Sequence, residues 1–562
     1  MKSWAFPLST VLLLLLGGFF LGFSGGVDDA HITYWAAESL ARNGEILNYN
    51  LDRVEQSSSL LQVLVLGVLR TVAGVSVVVL GHVLTLIVSI LVLFLFCRLL
   101  KKLQINSKAT LLLASSPFFV YWAFGGMEGV WLGALLLLLI ASLATNLARP
   151  HLSLGVVLLS LAIQMTRPEM PLVLCVFAAA LLLLRWVYRQ AAWPWRSLWI
   201  FLLLQTLIAV LLSAWRYWYF GDFFPQPVSA KAAGFSVTNL SYGLQYVQQT
   251  WLNLWLLPTT VLVVAGVFYA TFFDRRPHAL LAVLLATIYS GFVVVSGGDW
   301  MAAGRFWTPV LPLFCLLIGL MLDRLLKNRA LYRMVLTVLV ALNVTYLWRG
   351  TAIDFNGIPL WKKTVLTAAD HPELFSFFER HSRENLHDIP VTMQAESLLG
   401  KIIALREMQG DTSPVVMMAG QMGMVPFYLT KAYAEKIRFI DRNGITERTL
   451  TACSAAAGLA RTRNGLGVGY EWIVAHRSEL EKACGFVMPD VVFDIEAGWN
   501  KNNINALERA GYVFVYRQRG HVFDGPDNAL LPLRKIGAGE FLAVSQTLWQ
   551  QLGSPAPIKR VF

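Results

Sequence analysis

Of 562 residues, 56% are hydrophobic and only 14% are charged, and the net charge is +12. A soluble globular protein carries about 25% charged residues, so a wholly soluble fold is excluded. The cations sit in short clusters between apolar runs, the pattern of membrane-flanking loops, and no basic face with aromatic stacking platforms argues for nucleic acid.

The chain opens with an apolar run from Trp4 to Phe23 behind Lys2. It is long enough to span a bilayer, and its Gly-rich exit lacks an A-x-A cleavage signal, so it reads as an uncleaved helix. Further runs at 77–99, 108–124, 128–147, 152–166, 170–187, 198–216, 252–273, 278–296, 306–323 and 330–348 bring the expectation to about eleven spans. With the N-terminus in the cytoplasm, every basic cluster falls on the cytoplasmic side: Arg98-Lys101-Lys102, Arg149, Arg185-Arg189-Arg196, Arg275-Arg276 and Arg324-Lys327-Arg329-Arg333. An odd number of crossings then leaves the C-terminal portion outside. The expected setting is a multi-pass protein of a bacterial inner membrane with its tail in the periplasm.

Between the first two spans, residues 26–76 are too long for a turn. Ile32, Trp35, Ala36 and Leu40 recur at helical spacing, Gly44 can close that helix, and a second, Leu-rich helix follows from Ser58 to Val72. Two short helices along the outer membrane surface fit this pattern. The expected division is a membrane domain over 1–349 and a soluble α/β domain over 350–562. The latter alternates helical stretches with short apolar runs such as Val415–Met418, Ile437–Ile440 and Trp472–Val474. Cys97, Cys175 and Cys315 lie in apolar runs and read as free thiols. Cys453 and Cys484 lie in the tail, where an oxidising compartment would permit a disulfide.

The outer loops carry five short charged motifs: Val27-Asp28-Asp29-Ala30; Gly125-Gly126-Met127-Glu128-Gly129; Thr166-Arg167-Pro168-Glu169; Gly221-Asp222 through Pro225 to Lys231; and Gly297-Gly298-Asp299-Trp300-Met301 with Arg305-Phe306. Charges at membrane depth are costly and mark cavities or partners. The Asp28-Asp29 pair opens a helix, where one Asp can cap and the other complement the dipole. Adjacent carboxylates at an apolar rim can also take a proton from an acceptor hydroxyl. Arg167, Arg216, Lys231 and Arg305 are candidates for a phosphate cradle. The plainer reading is that they snorkel, with Arg167 pairing with Glu169 and Arg305 with Asp299. Glu128 reads first as part of a Gly-rich bend, the aromatics at 121–124 and 300–307 as an interfacial belt with sugar stacking second, and His31 as a neighbour that could tune Asp28. There is no Walker P-loop, HExxH, GxSxG or CxxC, and no cytosolic domain for a nucleotide-sugar, so a donor carried on a lipid suits the outward-facing charges.

These motifs resemble the GT-C superfamily of integral-membrane glycosyltransferases. Within it they look most like the polyprenyl-phosphate arabinofuranosyltransferases of the AftB type and the related pilin arabinosyltransferase. The matching text is Asp28-Asp29-Ala30-His31-Ile32, Arg53-Val54-Glu55 before Ser58-Ser59, Thr166-Arg167-Pro168-Glu169, Gly221-Asp222 through Lys231, and Gly297-Gly298-Asp299-Trp300-Met301 with Arg305-Phe306. It covers about 1–350 and is thin beyond; Gln56-Ser57 stand where the family often has a bulky residue. The resemblance implies transfer of D-arabinofuranose from a polyprenyl-phosphate donor to a cell-surface glycan or a pilin-like protein. One of Asp28 and Asp29 would be the base, and His31, Glu55, Glu169, Asp299 and Trp300 would stand at the substrate. A divalent cation between carboxylates and phosphate fits the chemistry, but no ligand set in the sequence specifies one. Transfer of another lipid-linked sugar such as mannose or an aminopentose, a lipid or sugar transporter, and a non-catalytic anchor are the rival readings. A transporter would place charges near helix centres and show inverted repeats. An anchor would make Asp28 and Asp29 dispensable.

Overall fold

The computed structural model describes residues 5–21, 28–147, 151–188, 193–231, 237–251, 257–274, 276–299, 304–352, 385–459, 468–497, 501–518 and 538–553. The N-terminal part is helical: α1 (Ala5–Leu21), α2 (Ala30–Asn43), α3 (Leu60–Ala73), α4 (Val77–Lys102), α5 (Thr110–Ser115), α6 (Pro117–Ala123), α7 (Gly129–Asn146) and α8 (Leu154–Thr166). It continues with α9 (Met170–Tyr188), α10 (Trp195–Phe220), α11 (Gln226–Lys231), α12 (Val237–Trp251), α13 (Leu257–Phe272), α14 (Pro277–Val295), α15 (Leu311–Leu325) and α16 (Arg329–Ala352).

Among the described residues, α4, α9, α10, α14 and the segment Arg305–Leu325 are long and apolar enough to cross a membrane, and α1, α3, α7, α8 and α13 contain shorter apolar stretches. The expected span at 108–124 is broken in two. Pro117 cannot donate to the helix ladder and holds Ser116 extended, so α6 starts afresh there.

The two helices expected between the first spans are α2 and α3. Gly44 ends α2 in the left-handed conformation with its N–H bonded to Leu40, as Gly74 ends α3 over Arg70. Yet α2 is enclosed rather than laid on a surface. Ala30 through Ser39 are all buried, against α3, α4 and the C-terminal region.

The C-terminal region is α/β. A long helix α17 (Asn385–Met408) precedes β1 (Val415–Ala419), α18 (Met424–Tyr433) and β2 (Ile437–Asp441). Then come α19 (Thr449–Ala456), α20 (Tyr470–Ala475), α21 (Arg477–Cys484), β3 (Val491–Ala497), α22 (Lys501–Arg509), β4 (Tyr512–Gln518), β5 (Ala538–Ser545) and α23 (Gln546–Gln551). The sheet order is β2-β1-β3-β5-β4, parallel across β2, β1 and β3 and antiparallel beyond. The Trp472–Val474 run lies on a helix, with Ile473 buried and Gly469 as N-cap, because a three-residue apolar run is too short to specify a strand.

Cys453 on α19 and Cys484 on α21 form a disulfide across 31 residues, while Cys97, Cys175 and Cys315 are free thiols. Closing a loop of that length stabilises the fold by about 3–4 kcal/mol on the chain-entropy model. The double variant Cys453→Ser/Cys484→Ser should therefore melt at a clearly lower temperature than wild type. Identical melting with and without reductant would show that the bridge contributes nothing.

Candidate active site

Charged residues from the segments between the helices meet in one cluster. Arg305, in the 3-10 turn leading into α15, donates from Nε and Nη2 to the two oxygens of Asp299, at 2.6 and 3.0 Å. Its Nη1 reaches Asp29 Oδ2 at 3.4 Å. Arg167, at the end of α8, donates to Glu169 at 2.5 Å and to Glu128 at 2.6 Å. Both guanidinium groups lie over the Phe306 ring, 4.7 and 5.3 Å from its centroid. Tyr289 of α14 donates to Glu169. Thus four of the five sequence motifs contribute to one cluster.

The pairings Arg167–Glu169 and Arg305–Asp299 join residues close in sequence and were expected from it. They do not use up either arginine: each carries a second carboxylate from a distant segment. Glu128, read from sequence as part of a bend, is one of these and is 2% exposed. The cluster sets two guanidinium groups against the carboxyl groups of Glu128, Glu169, Asp299 and Asp29, so the arginines are already matched. Removing Arg167 would leave Glu128, and removing Arg305 would leave Asp299, buried without its arginine, at a cost of about 3–5 kcal/mol.

Asp28 and Asp29 face different neighbours. Asp29 takes the N-cap position of α2 without a side-chain capping bond. Asp28 Oδ1 accepts from the backbone N–H of Met424, at 2.6 Å, where α18 of the C-terminal region begins. Burial, with the carboxylates of Asp28, Asp29 and Asp441 close by, pushes the Tyr49 phenol well above its usual pKa.

The other sequence candidates are placed as follows. Arg216 forms a two-pronged bridge with Glu55, at 2.8 and 3.2 Å, both residues buried. Burial raises the Glu55 pKa and Arg216 opposes the shift. His31 is fully buried, edge-on to Tyr34 and Phe427 and tilted against Tyr428. Asp222 pairs with Arg448 of the C-terminal region. Lys231 ends α11, and its side chain lies outside the described part of the structure, as does Trp300 entirely. Gln56 donates to the Ile32 carbonyl, and Ser57 bonds with Thr33, tying the 53–59 strand of chain to α2.

The aromatic-belt reading of 121–124 and 300–307 is corrected for Tyr121, Trp122, Phe124 and Trp307. Tyr121 and Trp122 are buried, and Trp307 is buried too, stacking on Tyr246 and donating to Thr250. They are core, because the helices around them close over both faces. Among the described residues, no group of three or more His, Cys, Asp or Glu is arranged to hold a metal ion.

The fold has solved counterparts. The structure of ArnT from Cupriavidus metallidurans bound to undecaprenyl phosphate aligns over 97% of this chain and 99% of its own, with TM-score 0.50 at 13% identity. An oligosaccharyltransferase from Archaeoglobus fulgidus aligns over 89% of this chain and 71% of its own, with TM-score 0.47 at 11% identity. The arabinofuranosyltransferase AftD from Mycobacteria aligns over 97% of this chain and 40% of its own, with TM-score 0.45 at 15% identity. No protein-family model and no curated sequence matches the chain. The chain thus shares the fold of the ArnT structure, a helical part with stretches long and apolar enough to cross a membrane followed by an α/β domain.

Proposed function

We propose that the protein is a glycosyltransferase that moves a pentofuranose, D-arabinofuranose by the sequence motifs, from a polyprenyl-phosphate donor to a hydroxyl of an extracytoplasmic glycan or protein. The observation that carries this reading is the contact of Asp29, next in sequence to Asp28, with Arg305, which shares the Phe306 ring with Arg167; a phosphate at that arginine and a carboxylate can share one sugar. The fold shared with a protein solved with undecaprenyl phosphate bound supports the lipid carrier. The basic loops support a multi-pass inner-membrane protein, divided near residue 350, with site and C-terminal domain facing the periplasm.

Asp28, fixed through Oδ1, takes the proton of the acceptor hydroxyl. The hydroxyl oxygen bonds to the anomeric carbon as the carbon–phosphate oxygen bond breaks, and the lipid phosphate leaves with the electron pair. Asp29, whose Oδ2 accepts from Arg305 Nη1, belongs with the donor side, because that arginine is the group set to meet the donor phosphate. The Arg305–Asp29 contact, at 3.4 Å, is the longest of the arginine–carboxylate contacts in the cluster, so it is there that a phosphate oxygen exchanges for a carboxylate. The charge building on that oxygen then meets a fixed donor. Lys231 is proposed as a further phosphate cation, and Arg216, Glu55 and His31 as residues that hold the walls.

The test is transfer by the purified full-length protein from synthetic polyprenyl-phospho-arabinofuranose to a panel of glycan and peptide acceptors, beside the mannose and aminopentose donors. Arabinofuranose is expected as the transferred sugar. Turnover only with another sugar would replace the donor, and no transfer from any would remove the reading.

A further inference from the structure

The C-terminal domain reaches into the site at one point. Strand β1 runs into α18 through Gly420 to Gly423, at the carboxyl end of the parallel part of the sheet, where β1 is flanked by β2 on one side and β3 on the other. In open α/β sheets that position is where ligands are held. Here it holds a side chain of the same polypeptide: Met424 N–H donates to Asp28 Oδ1 at 2.6 Å.

The approach is tight enough to require glycine. A Cβ on Gly423 would lie 2.1 Å from the Asp28 carbonyl oxygen and 2.3 Å from its Oδ1. The Gly423 carbonyl in turn accepts from the Tyr49 hydroxyl at 3.1 Å. Tyr49 stacks on Trp35 of α2 and meets Phe439 of β2 edge-on. Phe427 of α18 packs against both His31 and Trp35. Asn50 bonds both backbone groups of Phe439, at 2.7 and 2.8 Å, fastening the same loop to the sheet edge. Asp28 is thereby set between two bodies, and its rotamer depends on the one that is remote in sequence.

We infer that the Gly423–Met424 turn is a positioning element for Asp28, which makes the C-terminal domain a structural part of the active site rather than an appended module. The inference rests on the reading of Asp28 as the base. It does not make Gly423 or Met424 catalytic: both act through the carboxylate they hold. A displaced base costs rate without changing how the donor is bound, because donor affinity is set on the Arg305 side.

The experiment uses the full-length protein in detergent or nanodiscs and has two arms. In the first, kcat and donor KM are measured for Gly423→Ala and for Tyr49→Phe. Gly423→Ala should lose kcat by about 10²-fold, the scale of an ångström-sized misplacement, and Tyr49→Phe by a few-fold, both with donor KM within about twofold of wild type. Should Gly423→Ala fail to fold, the milder Tyr49→Phe decides. Wild-type kcat in the folded variants, or a loss that only tracks the unfolded fraction, overturns the inference. In the second arm, hydrogen exchange of the peptide containing Met424 is compared between wild type and Asp28→Ala. Loss of a hydrogen bond to a charged acceptor should speed exchange there by about tenfold or more. Unchanged exchange overturns the inference whatever the enzyme does. If wild type transfers nothing, the transferase reading falls, while the exchange arm still decides whether the domain holds Asp28.

Discussion

Asp28→Asn should lower kcat by on the order of 10³-fold, the middle of the range for a general base, while leaving donor KM close to wild type. Asn keeps an oxygen that can accept from Met424 N–H and nearly the same volume, so the turn and α18 should stay docked. What it loses is the ability to take a proton. Asp29→Asn is expected to behave differently. Its carboxylate touches Arg305 at 3.4 Å, so its removal disturbs the donor side and should change donor KM or kcat by no more than about tenfold. The two variants, run side by side with thermal melting as the folding control, therefore separate the roles. A loss confined to Asp29→Asn would reverse the assignment, and wild-type turnover in both would falsify the site.

Arg305→Lys carries the second large effect. Lysine keeps the charge beside Asp299 but gives up the fork that holds both oxygens of Asp299 and reaches Asp29. Hydrogen bonds to charged groups are worth about 1.5–3 kcal/mol, so kcat/KM for the donor should fall by about 10- to 150-fold in a protein that still folds. Arg305→Ala should fall further and also melt lower, since Asp299 is left buried without its partner. Donor kinetics of Arg305→Lys equal to wild type would take phosphate recognition away from this residue.

The resemblance of the site to its sequence reading follows separation along the chain. Arg167–Glu169 and Arg305–Asp299 are two and six residues apart, and a short loop brings such pairs together almost wherever it is placed. Arg167–Glu128 spans 39 residues and Arg305–Asp29 spans 276. Nothing in either local sequence signals the second partner. Glu128 looked like part of a bend because its neighbours are glycines, and the guanidinium it meets comes from the far end of α8. Trp307 and Trp122 looked interfacial for a related reason. Position along a span is legible, but which side faces lipid and which faces another helix is decided by packing.

By itself, the sequence determined that the chain lies in a membrane, where most of its helices run, that an α/β domain follows, and which short charged motifs stand between the helices. Lipid imposes long apolar stretches, and basic loops resist translocation, so both leave marks in one dimension. Only the tertiary structure decided that Asp28 is held by Met424, 396 residues away, and that two arginines share four carboxylates around one phenylalanine. Hydropathy acts on each segment alone, whereas a hydrogen bond or ion pair acts over a few ångströms and exists only once the segments bearing its two ends have packed.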